Sequence, residues 1–193
     1  MLSTSPFEAF ATYERERGLP EGLIRRVNAT DPDTNAWARL ERSDVTMEEF
    51  DALFAAEARA LGHEIPGADV LELLSGDLRP EMIEAVRRCG QRLATGLLTN
   101  NFVSVDGHPE IAHLLSLFDA VVESSKVGVR KPDARFYEIA CETLSIEPAE
   151  AVFLDDLGIN LKPARALGMT TIKVDDPADA IAALESVVGF PLT

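Results

Sequence analysis

Three short stretches carry side chains whose types suit chemistry on a phosphate. "LLTNN" closes an apolar run with Thr99, Asn100 and Asn101, a hydroxyl and two amides able to hydrogen-bond an oxyanion. "VGVRKPD" sets Lys131 directly before Pro132. The proline suits the first position of a following helix and keeps Lys131 out of helical geometry, so the ammonium is held in a loop beside a positive helix end. "AVFLDDLGIN" ends a third apolar run in Asp155 and Asp156. Neighbouring side chains on a strand project to opposite sides, so one carboxylate is the expected ligand of a cation and the other its hydrogen-bonded support. Two close carboxylates each raise the cost of ionising the other, and a divalent cation removes that cost; ligation by oxygen alone points to Mg²⁺. Gly158 permits a tight turn, and Asn160 opens the next helix with an amide able to reach back toward the acids.

Such groups act together only if a scaffold gathers them at one edge. After Asp77-Leu78-Arg79-Pro80 the sequence alternates helical segments with short apolar runs: "EMIEAVRRCG", then "RLATGLLTN", "PEIAHLLSLF", "DAVVES", "DARFYEIACETL", "AVFLDD", "NLKPARALG", "TTIKV" and "ADAIAALESVV". Apolar runs separated by helices predict parallel βαβ units, hence an α/β core with a doubly wound sheet of at least four strands. In these sheets ligands bind beyond the C-terminal strand ends, where Thr99, Lys131 and the acidic pair fall. Residues 5 to about 76 have a different rhythm, with apolar side chains three and four apart. Phe7 and Phe10 form one block, Leu23, Ile24 and Val27 a second, Trp37 and Leu40 a third, and Met47, Phe50, Phe54 and Leu61 a fourth. Thr46 and Glu49 spell a capping box at the start of that fourth helix. The division expected is a small all-helical domain over 1–78 and the α/β core over 79–193.

Thirty-three acidic against eighteen basic residues give a formal charge of −15 on 193 residues. Such a field repels phosphate backbones and anionic lipid, so neither nucleic acid nor membrane is an expected partner. The start "MLSTSPFEAF" lacks the basic and apolar blocks of a signal peptide, and a cytoplasmic location follows by default. Cys89 and Cys141 lie in helical segments without metal-ligand spacing and are expected to be reduced core thiols. His63, His108 and His113 share no ligand spacing and are expected at the solvated surface.

A hydroxyl, a lysine and an acidic pair on successive strand ends form a phosphoryl-transfer constellation. Receiver domains of two-component signalling place the acidic pair first, whereas here the order is Thr99, Lys131, then Asp155-Asp156. "LLTNN", "SSKVGVRKPDARFYEIA" and "VFLDDLGINLKPARALGM" resemble the second, third and fourth motifs of the haloacid dehalogenase superfamily. The likeness is strongest to the N-terminal phosphatase domain of soluble epoxide hydrolases and its bacterial relatives, and it continues to "VVGFPL". It implies a HAD-like Rossmann-like core, residues 5–76 as the helical cap inserted after the first strand, and a Mg²⁺-dependent phosphatase acting on a small phosphate ester through an aspartyl-phosphate. By that resemblance Thr99 and Asn100 would bind the phosphoryl group, Lys131 would neutralise charge, Asp156 would ligate Mg²⁺, and Asp155 and Asn160 would support it. A homodimer is compatible with it. Arg39 and Arg42 in the cap are candidates for reading the substrate. The metal-free dehalogenase branch fits the acidic pair less well.

The superfamily's first motif, an apolar strand ending in two aspartates one residue apart, is missing. "MLSTSPF" resembles the segment just after it, and "DPDTN" (Asp31, Asp33, Thr34) nearly spells it but follows no buried strand, so neither aspartate is assigned as nucleophile. The missing strand would sit between those ending at Thr99 and Asp155, so its loss would part them by roughly twice 4.8 Å. The expectations are a truncated or mis-started hydrolase, inactive as given, or a non-catalytic relative keeping a phosphate or metal cradle for binding or assembly.

Overall fold

The computed structural model describes residues 2, 6–74, 78–101 and 109–193, with the backbone alone at 109–111. His108 and most of the expected first-motif remnant, residues 1 and 3–5, lie outside the described residues. The chain divides into two compact units, Thr4–Asp77 and Met1–Ser3 with Leu78–Thr193.

The first unit is helical among its described residues: α1 (Phe7–Glu16), α2 (Leu23–Ala29), α3 (Ala36–Glu41), α4 (Met47–Ala60) and α5 (Gly67–Glu72). Phe10, Leu23, Ile24, Val27, Phe50 and Phe54 are buried, each at a position that recurs every three or four residues. Helix α4 begins with the Thr46–Glu49 capping box: the Glu49 N–H donates to Thr46 Oγ1 (3.1 Å) and the Thr46 N–H to Glu49 Oε2 (2.8 Å). Its apolar stripe is shorter than the spacing suggests, because Met47 and Leu61 at its ends stay exposed. Glu14, buried on α1, accepts from the N–H groups of Gly22 (2.7 Å) and Ile24 (2.8 Å), satisfying donors at the start of α2. Asp31, Asp33 and Thr34 occupy an exposed turn that runs into Asn35, the N-cap of α3.

The second unit contains β1 (Gly96–Thr99), β2 (Ala120–Glu123), β3 (Val152–Asp155) and β4 (Thr170–Lys173), with α6 (Pro80–Cys89), α7 (Pro109–Leu115), α8 (Ser124–Val127), α9 (Ala134–Leu144), α10 (Gly158–Ala166) and α11 (Pro177–Val188). β1 pairs in parallel with β2, Thr99 opposite Glu123, and β3 in parallel with β4, Asp155 opposite Lys173. The parallel α/β arrangement is the one expected, and among the described residues the strands ending at Thr99 and Asp155 are not paired with each other, as the missing first strand implies. Among the described residues the strands form two two-stranded sheets, and β1 and β3 are not hydrogen-bonded to each other.

Apolar packing joins the halves across this break. On one face, Phe136, Tyr137, Ala140 and Cys141 of α9 cluster with Val122, Ala164 and Met169, and Leu98 of β1 and Phe153 of β3 both pack against them. The Tyr137 and Phe153 rings meet edge-on at 5.2 Å. On the other face, Met82, Ala85 and Cys89 of α6 pack with Ile181 of α11 and Leu192. Between β1 and β3 lies a largely apolar cavity of about 370 Å³. Both cysteines are free and buried, and no described helix is long and apolar enough to cross a membrane.

Two local expectations change. Helix α9 starts after Asp133, not at Pro132, because the Asp133 side chain accepts from the Arg135 N–H (2.9 Å) and takes the N-cap role. Helix α10 starts at Gly158, so Asn160 lies inside its first turn.

Candidate active site

Parallel pairing places the last residues of β1, β2 and β3, namely Thr99, Glu123 and Asp155, at C-terminal strand ends. The sequence turns polar there because the strands stop: upstream residues face apolar helices on both sides, and these meet loops and helix starts.

Lys131 is the centre of the arrangement. Its Nζ donates to the Leu98 carbonyl of β1 (3.0 Å) and to Asp155 Oδ2 at the end of β3 (2.8 Å), so one ammonium spans both half-sheets. The lysine side chain is 13% exposed and that of Asp155 3%, which makes this a largely buried pair. The Lys131 ammonium also lies 5.8 Å from the Phe153 ring centre, within cation–π range.

The two aspartates have different surroundings. Asp155 is buried and fully engaged: besides Lys131, its Oδ1 accepts from the Leu157 N–H (2.9 Å) and from Asn160 Nδ2 (3.0 Å). The Asn160 carbonyl in turn accepts from the Tyr137 hydroxyl (2.7 Å), whose pKa is raised, first by burial and then by the charge of Asp155. Asp156 is half-buried, and among the described residues its carboxylate has no hydrogen bond or ion pair. The Thr99 hydroxyl, also half-buried, is likewise unengaged among the described residues. The site thus holds one fixed ammonium, one unspent hydroxyl and one unspent carboxylate.

Asn100 and Asn101 do positional work. Asn100 Oδ1 accepts from the Lys131 N–H (2.9 Å) and its Nδ2 donates to the Lys131 carbonyl (3.0 Å), so the amide docks on the Lys131 backbone much as a strand would. Asn101 ties the end of β1 to the junction of β2 and α8: its Nδ2 donates to Glu123 Oε1 (2.7 Å), its N–H to Ser124 Oγ (3.0 Å), and its Oδ1 accepts from Ser125 Oγ (3.0 Å). Glu123, 1% exposed, also pairs with Lys126. Sequence reasoning missed this Glu123–Ser124 group, although "AVVES" ends an apolar run in an acid as "VFLD" does.

Arg39 and Arg42 belong to the helical unit. Arg42 pairs with Asp44 (2.9 Å) and donates to the Asp33 carbonyl (3.1 Å), while Arg39 is half-buried. Of the described histidines, His113 is exposed and His63 half-buried. Among the described residues no group of three His, Cys, Asp or Glu side chains is placed to hold a metal ion. The unspent Asp156 carboxylate suits Mg²⁺ in kind, but the donors fall short of it in number.

The C-terminal ends of parallel strands thus carry the Thr99 hydroxyl and the Asp155 carboxylate, with Lys131 reaching in from the segment before α9. The haloacid dehalogenase-like hydrolase pattern matches residues 8–168, and the chain belongs to that family. It is 35% identical over 201 residues to mouse Acyl-CoA dehydrogenase family member 10, covering 100% of this chain and 18% of that protein. It is 30% identical over 202 residues to mouse Bifunctional epoxide hydrolase 2, covering 95% of this chain and 36% of the other. Sesquiterpene phosphatase astK of Aspergillus oryzae is 29% identical over 162 residues, 81% of each chain. The chain therefore spans well under half of the first two relatives. In structure it resembles the L-2-haloacid dehalogenase of Xanthobacter autotrophicus, with a TM-score of 0.57, 20% identity and coverage of 100% of this chain and 80% of that one.

Proposed function

We propose that this chain is the greater part of a Mg²⁺-dependent phosphatase acting on a small phosphate ester, whose aspartate nucleophile lies outside the 193 residues. The observation that carries the reading is the Lys131 ammonium, held between β1 and β3 with the unspent Thr99 hydroxyl and Asp156 carboxylate on neighbouring strand ends. In this reading Lys131 offsets the charge of phosphate and nucleophile, and Thr99 donates to a phosphoryl oxygen. Asn100 holds the Lys131 backbone, and Asp155 with Asn160 holds its ammonium. Asp156 is the carboxylate offered to Mg²⁺, which when bound supplies Lewis-acid polarisation of the phosphoryl group. The helical unit is proposed as the cap that selects substrate. Phosphatase relatives such as astK support the class.

The test compares hydrolysis of p-nitrophenyl phosphate by the 193-residue chain and by a form extended upstream with an apolar strand ending in Asp-x-Asp. Magnesium-dependent turnover is expected only from the extended form, and equal turnover in both overturns the proposal. A second reading is a non-catalytic member that keeps a phosphate or metal cradle for binding or assembly. It requires that phosphate or Mg²⁺ raise the thermal midpoint of both forms while neither turns over.

A further inference from the structure

We infer that Glu123 is a positioning residue that fixes Lys131 through the two asparagines following β1. Residues 98–101 grip Lys131 twice. The Leu98 carbonyl accepts from its ammonium (3.0 Å), and the Asn100 side chain binds both its N–H (2.9 Å) and its carbonyl (3.0 Å). The ammonium is therefore placed no more accurately than this stretch of chain. Asn101, one peptide further on, is where the stretch is tied to β2 and α8. Its N–H donates to Ser124 Oγ (3.0 Å), its carbonyl accepts from the same hydroxyl (3.1 Å), and its Oδ1 accepts from Ser125 Oγ (3.0 Å). Its Nδ2 donates to Glu123 Oε1 at 2.7 Å.

Of these bonds the one to Glu123 is charge-assisted, and such bonds are roughly twice as strong as neutral ones. A glutamate ending a strand ordinarily turns to solvent, yet Glu123 is 1% exposed. A carboxylate withdrawn from water needs its partners in place. Lys126 pairs with it while remaining 49% exposed, so that ammonium stays solvated whether or not the pair is made. Asn101 is the partner that carries the fixed carboxylate on toward the site. The β1–β2 register sets Glu123 opposite Thr99, beside the strand end that bears the candidate hydroxyl. The effect on turnover rests on the phosphatase reading; the effect on the position of Lys131 does not.

The test compares Glu123→Ala, Glu123→Gln and Asn101→Ala in the 193-residue chain and in the form extended upstream. Glutamine keeps an acceptor oxygen for Asn101 Nδ2 and removes only the charge. Asn101→Ala removes the side-chain bonds and keeps the main-chain bonds to Ser124. In the 193-residue chain the readout is hydrogen exchange of the Lys131 amide, which Asn100 Oδ1 holds. Exchange is expected to quicken about tenfold in Glu123→Ala and Asn101→Ala, and far less in Glu123→Gln. Quickening that the Ala140 and Cys141 amides of α9 share in equal measure marks general destabilisation and overturns the inference. In the extended form, kcat on p-nitrophenyl phosphate is expected to fall about a hundredfold in Glu123→Ala with KM nearly unchanged, and to recover most of that loss in Glu123→Gln. A glutamine variant as impaired as the alanine one gives the role to the Lys126 pair and overturns the route through Asn101. An unchanged kcat beside a quickened Lys131 amide overturns the link to turnover. Should the extended parent itself not turn over, the phosphatase reading fails and the exchange decides the positioning alone. Asn101→Ala carries the same prediction if Glu123→Ala does not fold.

Discussion

Replacing Lys131 by methionine should destabilise the α/β unit by about 3 kcal/mol, because it leaves a buried carboxylate short of its counter-charge. The Nζ–Oδ2 distance is 2.8 Å, with only 13% and 3% of the two side chains exposed. At an effective dielectric of about 20, that separation corresponds to roughly 6 kcal/mol of direct attraction. The desolvation of both ions offsets a large part of it. Losing one partner of such a pair typically costs about 3 to 5 kcal/mol. The lower figure applies, since Asp155 keeps the bonds from Leu157 N–H and Asn160. With a urea m-value of about 1.5 kcal/mol/M, the midpoint should fall by roughly 2 M. Far-UV circular dichroism should report the loss. Trp37, the one tryptophan, belongs to the helical unit, and its fluorescence follows that unit locally. Adding Asp155→Asn should recover about half of the loss, as the buried charge is then gone. A Lys131→Met midpoint within about 0.3 M of the parent would refute the reasoning, because it would mean that water already screens the pair.

Two further outcomes are expected. Asp156→Asn should leave stability within about 0.5 kcal/mol, since no described group hydrogen-bonds or ion-pairs with its carboxylate. In the extended form it should weaken magnesium by more than the roughly 10- to 100-fold typical of an outer-sphere partner, read by titrating the metal against activity. Burial pushes the thiols of Cys89 and Cys141 above their ordinary 9.0, so the folded state favours the protonated thiols. The stability they contribute is complete below the unfolded pKa near 9 and lost as pH rises through the folded values. Urea midpoints measured from pH 7 to 10.5 should fall at the alkaline end, and less steeply in a Cys89→Ala, Cys141→Ala chain.

The alternation of helices and apolar runs was legible because strands covered on both faces leave continuous apolar stretches, and the Thr46–Glu49 box because capping is local. Thr99, Lys131 and the acidic pair were legible because polar residues ending such stretches fall at one edge of a parallel sheet. What was hidden depends on contacts distant in sequence. Nothing in "LLTNN" shows that Asn100 docks on a backbone 31 residues away. Alternation along the strand separates the two acids of "DD", but nothing in it shows that Asp155 pairs with Lys131. Glu123 was passed over because a glutamate usually lies at the surface, and its bonds to Asn101 and Lys126 form only in the fold. The start of α9 moved because Asp133 competed with Pro132 for the same helix end, and the carboxylate satisfied a free N–H that proline cannot.

A single ammonium, that of Lys131, bonds both to the Leu98 carbonyl of β1 and to the Asp155 carboxylate of β3, so a change of charge at this one atom would be felt by both strand pairs at once.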